Sequence, residues 1–275
     1  MDFAVFVAVA LCGLLLAFWL GSEPLRRAWR RHGIRRAPFP AAWRDILRRR
    51  VPYFQRLPAD LQLQLKRHIQ VFLAEKPIIG CDGLVVTEEM RVTIAAQACL
   101  LLLGRRSDYF PNLRQILVYP GAFVVRRHVT DDIGLQQDRR EVLAGESWSQ
   151  GQVILSWDDT LAGAADPADG RNVVIHEFAH QLDQEKGEAT GAPLLPRRAD
   201  YTRWARVMGT AFALLQAQAA VGAPSLLDHY GATNPAEFFA VASETFFERA
   251  PELAREQPEL FDTLRQYYCV NPLSW

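Results

Sequence analysis

The chain has 275 residues, 49 % apolar and 23 % charged, with a formal net charge of zero, and that length and apolar content exclude wholly disordered, collagen-like and mucin-like classes. Its four cysteines, Cys12, Cys81, Cys99 and Cys269, are scattered and form no CxxC pair, so neither a disulfide framework nor a zinc ribbon is expected. The zero net charge hides +7 on residues 1–50 and −7 on the remainder, and a mildly acidic body argues against direct binding of nucleic acid, which needs clustered Lys and Arg.

Residues 3–20, FAVFVAVALCGLLLAFWL, open the chain as an uncharged, apolar run. As a helix they reach about 27 Å, close to the thickness of a bilayer core. The flanks lack the basic n-region and small-residue cleavage site of a signal peptide, so an uncleaved transmembrane anchor is expected over residues 1–22. Arg26, Arg27, Arg30, Arg31, Arg35 and Arg36 follow in a basic linker, residues 23–40. The positive-inside rule then predicts a single-pass protein of the inner membrane with its body, residues 41–275, in the cytoplasm; a cytoplasmic protein is the alternative.

Helices are expected over Ala41–Arg50 and Pro58–Glu75, the second with Leu61, Leu65, Ile69, Phe72 and Leu73 on one face. Thr87-Glu88-Glu89 starts a further helix that runs apolar to Leu103 before Gly104. Gln115–Tyr119, Ala122–Arg127 and Gln152–Trp157 are β-branched and aromatic runs punctuated by Pro120, Gly121 and Gly151, and read as strands of a small sheet. From Asn172 onward the pattern is helical, with segments at about 172–186, 200–220, 235–249 and 258–268. An α+β domain with a modest mixed sheet and a helical C-terminal part is the expected fold.

The segment Asn172 to Asp183 contains HExxH within a helical pattern. Four residues advance 400° around a helix, so His176 and His180 project from one face about 6 Å apart along the axis and can share a metal ion. Glu177, offset by 100°, can reach a water on that metal and act as general base. The flanking Val173, Val174, Ile175, Phe178, Ala179 and Leu182 make the helix apolar nearly all round; it is expected to be buried, and buried His and Glu need partners, which a metal supplies.

A catalytic zinc usually has three protein ligands, and spacing alone leaves Asp228, His229, Glu237 and Glu244 open as the third. Asn234-Pro235-Ala236-Glu237 opens a helix with Glu237 at N3, where a carboxylate often closes a capping box. Glu244, seven residues on, shares that face and is as well suited to a supporting ion pair. Asp183, seven residues after His176, is placed either to accept a ligand histidine N–H or to pair with Lys186. His32, His68 and His128 lack metal-like spacing.

HEFAHQLD together with YGATNPAEFFAVASETFFE resembles the Mlc titration factor A family of zinc metallopeptidases, and the second segment is also similar to the catalytic domain of the lethal-factor toxin protease. The likeness spans roughly residues 40–270 and includes GESWSQGQVILSW. It implies a zincin-like peptidase domain holding one Zn2+ through His176, His180 and Glu237, with Tyr230 near the metal to stabilise an oxyanion. It also implies a peptide or protein substrate, aminopeptidase chemistry among the options, and association with a sugar-responsive transcriptional repressor of the Mlc type. A non-catalytic zinc module that sequesters such a repressor is the competing implication. The strand-like run at Trp148, Ser149 and Val153–Trp157 is expected to border the cleft, where it could pair with an extended substrate. The apolar N-terminus is a departure from the family.

Overall fold

The structure, a computed structural model, describes residues 11–13, 21–105, 108–130, 136–143, 145–148 and 151–275. The chain divides into two compact units, Met1–Phe39 and Pro40–Trp275. In the first, helix α1 (Glu23–Arg36) occupies most of the stretch expected as a linker. Pro24 fits its first turn, where the missing N–H goes unused, and Arg35 and Arg36 oppose the negative end of the helix dipole.

The expected transmembrane helix, the membrane contact and the single-pass inner-membrane placement are corrected: among the described residues no helix is long and apolar enough to cross a membrane. Helix α1 has arginines at positions 26, 27, 30, 31, 35 and 36, and each is costly in hydrocarbon. Of the 3–20 run, Leu11, Cys12 and Gly13 are helical, and the remainder lies outside the described residues.

The second unit opens with α2 (Ala41–Arg50), the short α3 (Tyr53–Arg56) and α4 (Ala59–Glu75), followed by strand β1 (Ile78–Gly80) and helix α5 (Glu88–Leu100). Thr87 caps α5 by accepting the Met90 N–H at 3.2 Å. Every residue from Val92 to Leu100 is buried, so α5 forms the middle of the core. Strands β2 (Gln115–Tyr119), β3 (Phe123–Thr130), β4 (Gln136–Leu143), β5 (Gly145–Trp148) and β6 (Gln152–Ser156) follow, then α6 (Trp157–Ala165), α7 (Val173–Asp183), α8 (Arg198–Ala220), α9 (Pro235–Glu248), α10 (Ala250–Glu256) and α11 (Pro258–Tyr268).

The α+β expectation is also corrected, because the body is mostly helical. The sheet, in the order β1-β2-β6-β5, holds three parallel strands and an antiparallel fourth at the edge. Strands this short cover little of the core, which is closed instead by helix packing. Two placements also differ from the sequence expectation. The run at 122–127 pairs with β4 in a separate antiparallel ribbon, Phe123 opposite Leu143. Of the run expected to border the cleft, residues 153–156 lie in an interior strand, while Trp148 lies in Gly145–Trp148, one of the two edge strands.

Two aromatic clusters tie the helices together. Phe72 of α4, Phe110 and Phe178 of α7 meet with ring centroids 4.8 to 6.2 Å apart. Beneath them the buried Lys76 ammonium donates to the carbonyls of Phe110 and Leu113, each at 2.7 Å. Trp204 of α8, Phe239 of α9 and Tyr267 of α11 form the second cluster, at 5.3 to 5.7 Å. The first anchors α7 and the second anchors α9, the two helices that carry the candidate site.

Candidate metal centre

Helix α7 starts where it does because Asn172 satisfies four polar groups at once. Its Oδ1 accepts the Ile175 N–H at 3.0 Å, its Nδ2 donates to Gly163 O at 3.1 Å and to Glu248 Oε1 at 3.0 Å, and its backbone N–H donates to Glu244 Oε2 at 2.5 Å. The first turn of α7 is thereby fastened to α9 as well as to α6. Helix α9 has its own cap in Asn234, whose Oδ1 accepts from Ala236 N and Glu237 N at 2.9 and 3.0 Å, with Pro235 at N1.

Packing α7 against α9 brings His176, His180 and Glu237 together. Glu237 Oε2 lies 2.9 Å from His176 Nε2 and 3.3 Å from His180 Nε2, and the two imidazole nitrogens are 3.2 Å apart. These three side chains could hold a metal ion. A tetrahedral ion bound at about 2.0–2.1 Å separates its ligand atoms by about 3.3 Å, and all three observed edges come within about 0.4 Å of that. Two nitrogens and a carboxylate oxygen suit zinc among the common ions, so the donor set fits. The Glu237 carboxylate is turned to the histidines, not to the Asn234 N–H that a capping box would require.

Electrostatics follow the same geometry. Burial disfavours a charged His176, but hydrogen bonds to Glu237 and Glu244 raise its pKa well above the ordinary histidine value. Burial likewise opposes ionisation of Glu237, yet bonds to His176 and His180 hold its carboxyl well below the usual carboxylate range.

Glu244 meets the other nitrogen of the His176 ring. Its Oε1 lies 2.7 Å from His176 Nδ1, the arrangement that fixes a histidine's orientation and leaves Nε2 free to ligate. Asp183 does something else: its Oδ2 accepts the Gly191 N–H at 2.6 Å, and neither His180 nor Lys186 is its partner in that bond. Gly191, at φ +74°, presses its backbone against Pro235 at the start of α9, where a Cβ would collide with the Pro235 carbonyl. Asp183 thus secures the loop on which α9 rests.

Glu177 is buried and lines a cleft of about 540 Å3 together with His176, Gly145, Asp228, Tyr230 and Glu244. A Cβ at Gly145 would stand 2.6 Å from Glu177 Oε1, so the edge strand passes directly beside that carboxylate. Tyr230 sits on a 3-10 turn, His229–Ala232, with its ring centroid 5.9 Å from that of His176. Asp228 pairs with Arg171 at 2.9 Å and His229 is exposed, so neither joins the cluster. Sequence reasoning misses Glu248, Gly145 and the bridging role of Asn172. The spacing of Glu237, Glu244 and Glu248 is a usable signal, since steps of seven and four residues put all three on one face of a helix.

Comparison with known proteins gives the family. The family model for the glucose-regulated metallo-peptidase M90 matches residues 26–269. An uncharacterized protein of Synechocystis sp. is 42 % identical over 268 residues, 97 % of each chain. Mlc titration factor A of Escherichia fergusonii is 37 % identical over 235 residues, 84 % of this chain and 86 % of its own, and that of Klebsiella pneumoniae is 36 % identical over 228 residues, 82 % and 84 %. A metallopeptidase family implies a metal cofactor, and the three convergent side chains are a candidate site that could hold one. The chain belongs to the glucose-regulated metallo-peptidase M90 family and has the Mlc titration factor A proteins among its relatives.

Proposed function

We propose that the protein is a zinc-dependent peptidase whose metal is held by His176, His180 and Glu237, with residues 41–275 as the catalytic domain. The convergence of three ligand atoms within 4.8 Å of one another, next to the buried Glu177, is the observation that carries this reading. Zinc bound there supplies Lewis acidity, which polarises a scissile carbonyl and lowers the pKa of water. The Glu177 carboxylate takes the proton of the attacking water and passes it to the departing amine. The Tyr230 phenol donates a hydrogen bond to the carbonyl oxygen as negative charge develops on it. Glu244 keeps the His176 ring in register, and Gly145 leaves the room in which Glu177 moves its proton.

Substrates on this reading are peptides or proteins, with release of N-terminal residues as one mode to be tested. The name of the Mlc titration factor A relatives supports a second function, association with a transcriptional repressor of the Mlc type and a link to regulated sugar uptake; a module that only sequesters the repressor has no use for a carboxylate at Glu177. Zinc content and hydrolysis of aminoacyl and peptidyl amides by the wild type and Glu177→Gln decide between them. Zinc retained with hydrolysis lowered by about 10²-fold or more is the expected result, and near wild-type hydrolysis in Glu177→Gln would sink the catalytic mechanism.

A further inference from the structure

Tyr230 is 54 % exposed, yet its backbone is held on both sides by side chains. Asp228 Oδ1 accepts the Tyr230 N–H at 3.0 Å, and Thr233 Oγ1 donates to the Tyr230 carbonyl at 2.7 Å. The next residue, Gly231, is buried, and a Cβ there would come within 3.2 Å of Leu215 Cδ2 and Val241 Cβ. Directly after the tyrosine, therefore, the chain is pressed onto α8 and α9.

The second oxygen of Asp228 accepts Arg171 Nη2 at 2.9 Å. Arg171 precedes Asn172, the cap of α7, so one carboxylate joins the turn that carries Tyr230 to the loop that starts the His176 helix. Ordering an exposed aromatic on a four-residue turn costs conformational entropy that its own partial burial does little to offset. The Arg171 side chain is 76 % exposed, and an ion pair of that kind adds little stability. What the bonds do achieve is a defined position for one ring above the His176 side of the cleft.

We propose that Asp228 is the positioning residue for Tyr230: by bonding the Tyr230 N–H and the Arg171 guanidinium together, it holds the phenol where the carbonyl oxygen of a bound peptide develops charge. The inference rests on the peptidase reading above. A mere turn cap would affect stability and leave the Tyr230 contribution to turnover intact, whereas a positioning residue acts through the phenol alone.

A double-mutant cycle on the full chain separates the two. Asp228→Ala is expected to lower kcat by about 10-fold with KM within about twofold, the pattern of an interaction made in the transition state. Arg171→Ala, a surface change that leaves the turn cap in place, is expected to lower kcat by about threefold. Both effects should vanish in a Tyr230→Phe background, because the group being positioned is gone. Asp228→Asn retains an acceptor for the Tyr230 N–H and should recover most of the loss. Independently of activity, 19F spectra of metal-free protein carrying 3-fluorotyrosine, with the Tyr230 signal identified by its absence from Tyr230→Phe, should show that signal shifted or broadened in Asp228→Ala and restored in Asp228→Asn. An unmoved Tyr230 signal, or kcat losses that add to that of Tyr230→Phe, would overturn the positioning role. Wild-type kcat in Tyr230→Phe would instead overturn the phenol's place in the peptidase reading, and the fluorine spectra would still report whether Asp228 fixes the ring.

Discussion

Glu244 Oε1 lies 2.7 Å from His176 Nδ1, while its other oxygen accepts the N–H of Asn172 at 2.5 Å, four residues before that histidine. One carboxylate from α9 therefore sets both the start of α7 and the rotation of the imidazole that α7 carries. Glu237, two turns away on α9, faces the opposite nitrogen of the same ring at 2.9 Å. The two glutamates consequently differ in kind, and their removal should differ in degree.

Zinc titration of Glu237→Ala and Glu244→Ala measures that difference. Losing a carboxylate that supports a ligand typically weakens binding by about 10- to 100-fold, and Glu244→Ala is expected in that range. On the proposed assignment Glu237→Ala removes a ligand atom and should exceed it, with turnover abolished even where the fold survives. Equal losses, or a greater loss in Glu244→Ala, would reverse the two assignments.

Gly145→Ala probes the room around Glu177. Its new methyl would stand 2.6 Å from both Glu177 Oε1 and Val173 Cγ2, so the carboxylate must swing aside. Overpacking of this kind costs about 1–3 kcal/mol. Hydrolysis should fall by about 10²-fold with zinc still bound. Activity within twofold of wild type would show that Glu177 works from another position.

Asp183→Ala separates support of α9 from support of a ligand histidine. The lost bond to Gly191, made by a buried carboxylate, should cost about 1–3 kcal/mol in a urea melt of the metal-free protein. Zinc affinity should change by less than about 10-fold, the lower edge of what loss of a histidine's supporting partner produces. A larger drop in affinity without loss of stability would return Asp183 to the side of His180.

Glu248 gives the fold a pH dependence of defined sign. Burial pushes its carboxyl up to about 8, against the opposing bond from Asn172. The folded state therefore holds a proton that the unfolded chain releases near its ordinary value, and the resulting stability is complete below about pH 4.5 and lost as pH rises through about 8. Glu248→Gln mimics the protonated form, so urea melts of the metal-free variant should match wild type near pH 4.5 and exceed it by a few kcal/mol near pH 9. A difference that does not grow with pH would mean that Glu248 ionises normally in the folded protein.

The helical periodicity of residues 172–183 and 234–248 is legible in the amino-acid order alone, as are the cap Asn234 and the shared face of His176 and His180. Each follows from relations within one helix, where 100° per residue fixes which side chains are neighbours. The sheet order, by contrast, is not legible. Short apolar runs carry no record of their partners, so periodicity assigns β3 to the sheet and does not separate β5 from β6 as its edge. The apolar run at 3–20 invites a membrane span from hydropathy alone, whereas among the described residues no helix is long and apolar enough to cross a membrane.

At the site the division is the same. HExxH by itself determines that two imidazoles and a carboxylate leave α7 in known directions. Which of Asp228, His229, Glu237 and Glu244 meets them is decided by the packing of α9 on α7, and so is the separation of Glu237 and Glu244 onto opposite sides of one ring. Residues 61 and 68 positions apart in the chain are joined by no dihedral periodicity; the packing of two helices whose Phe178 and Phe239 are each buried in the core brings them together, and only the folded core carries that information.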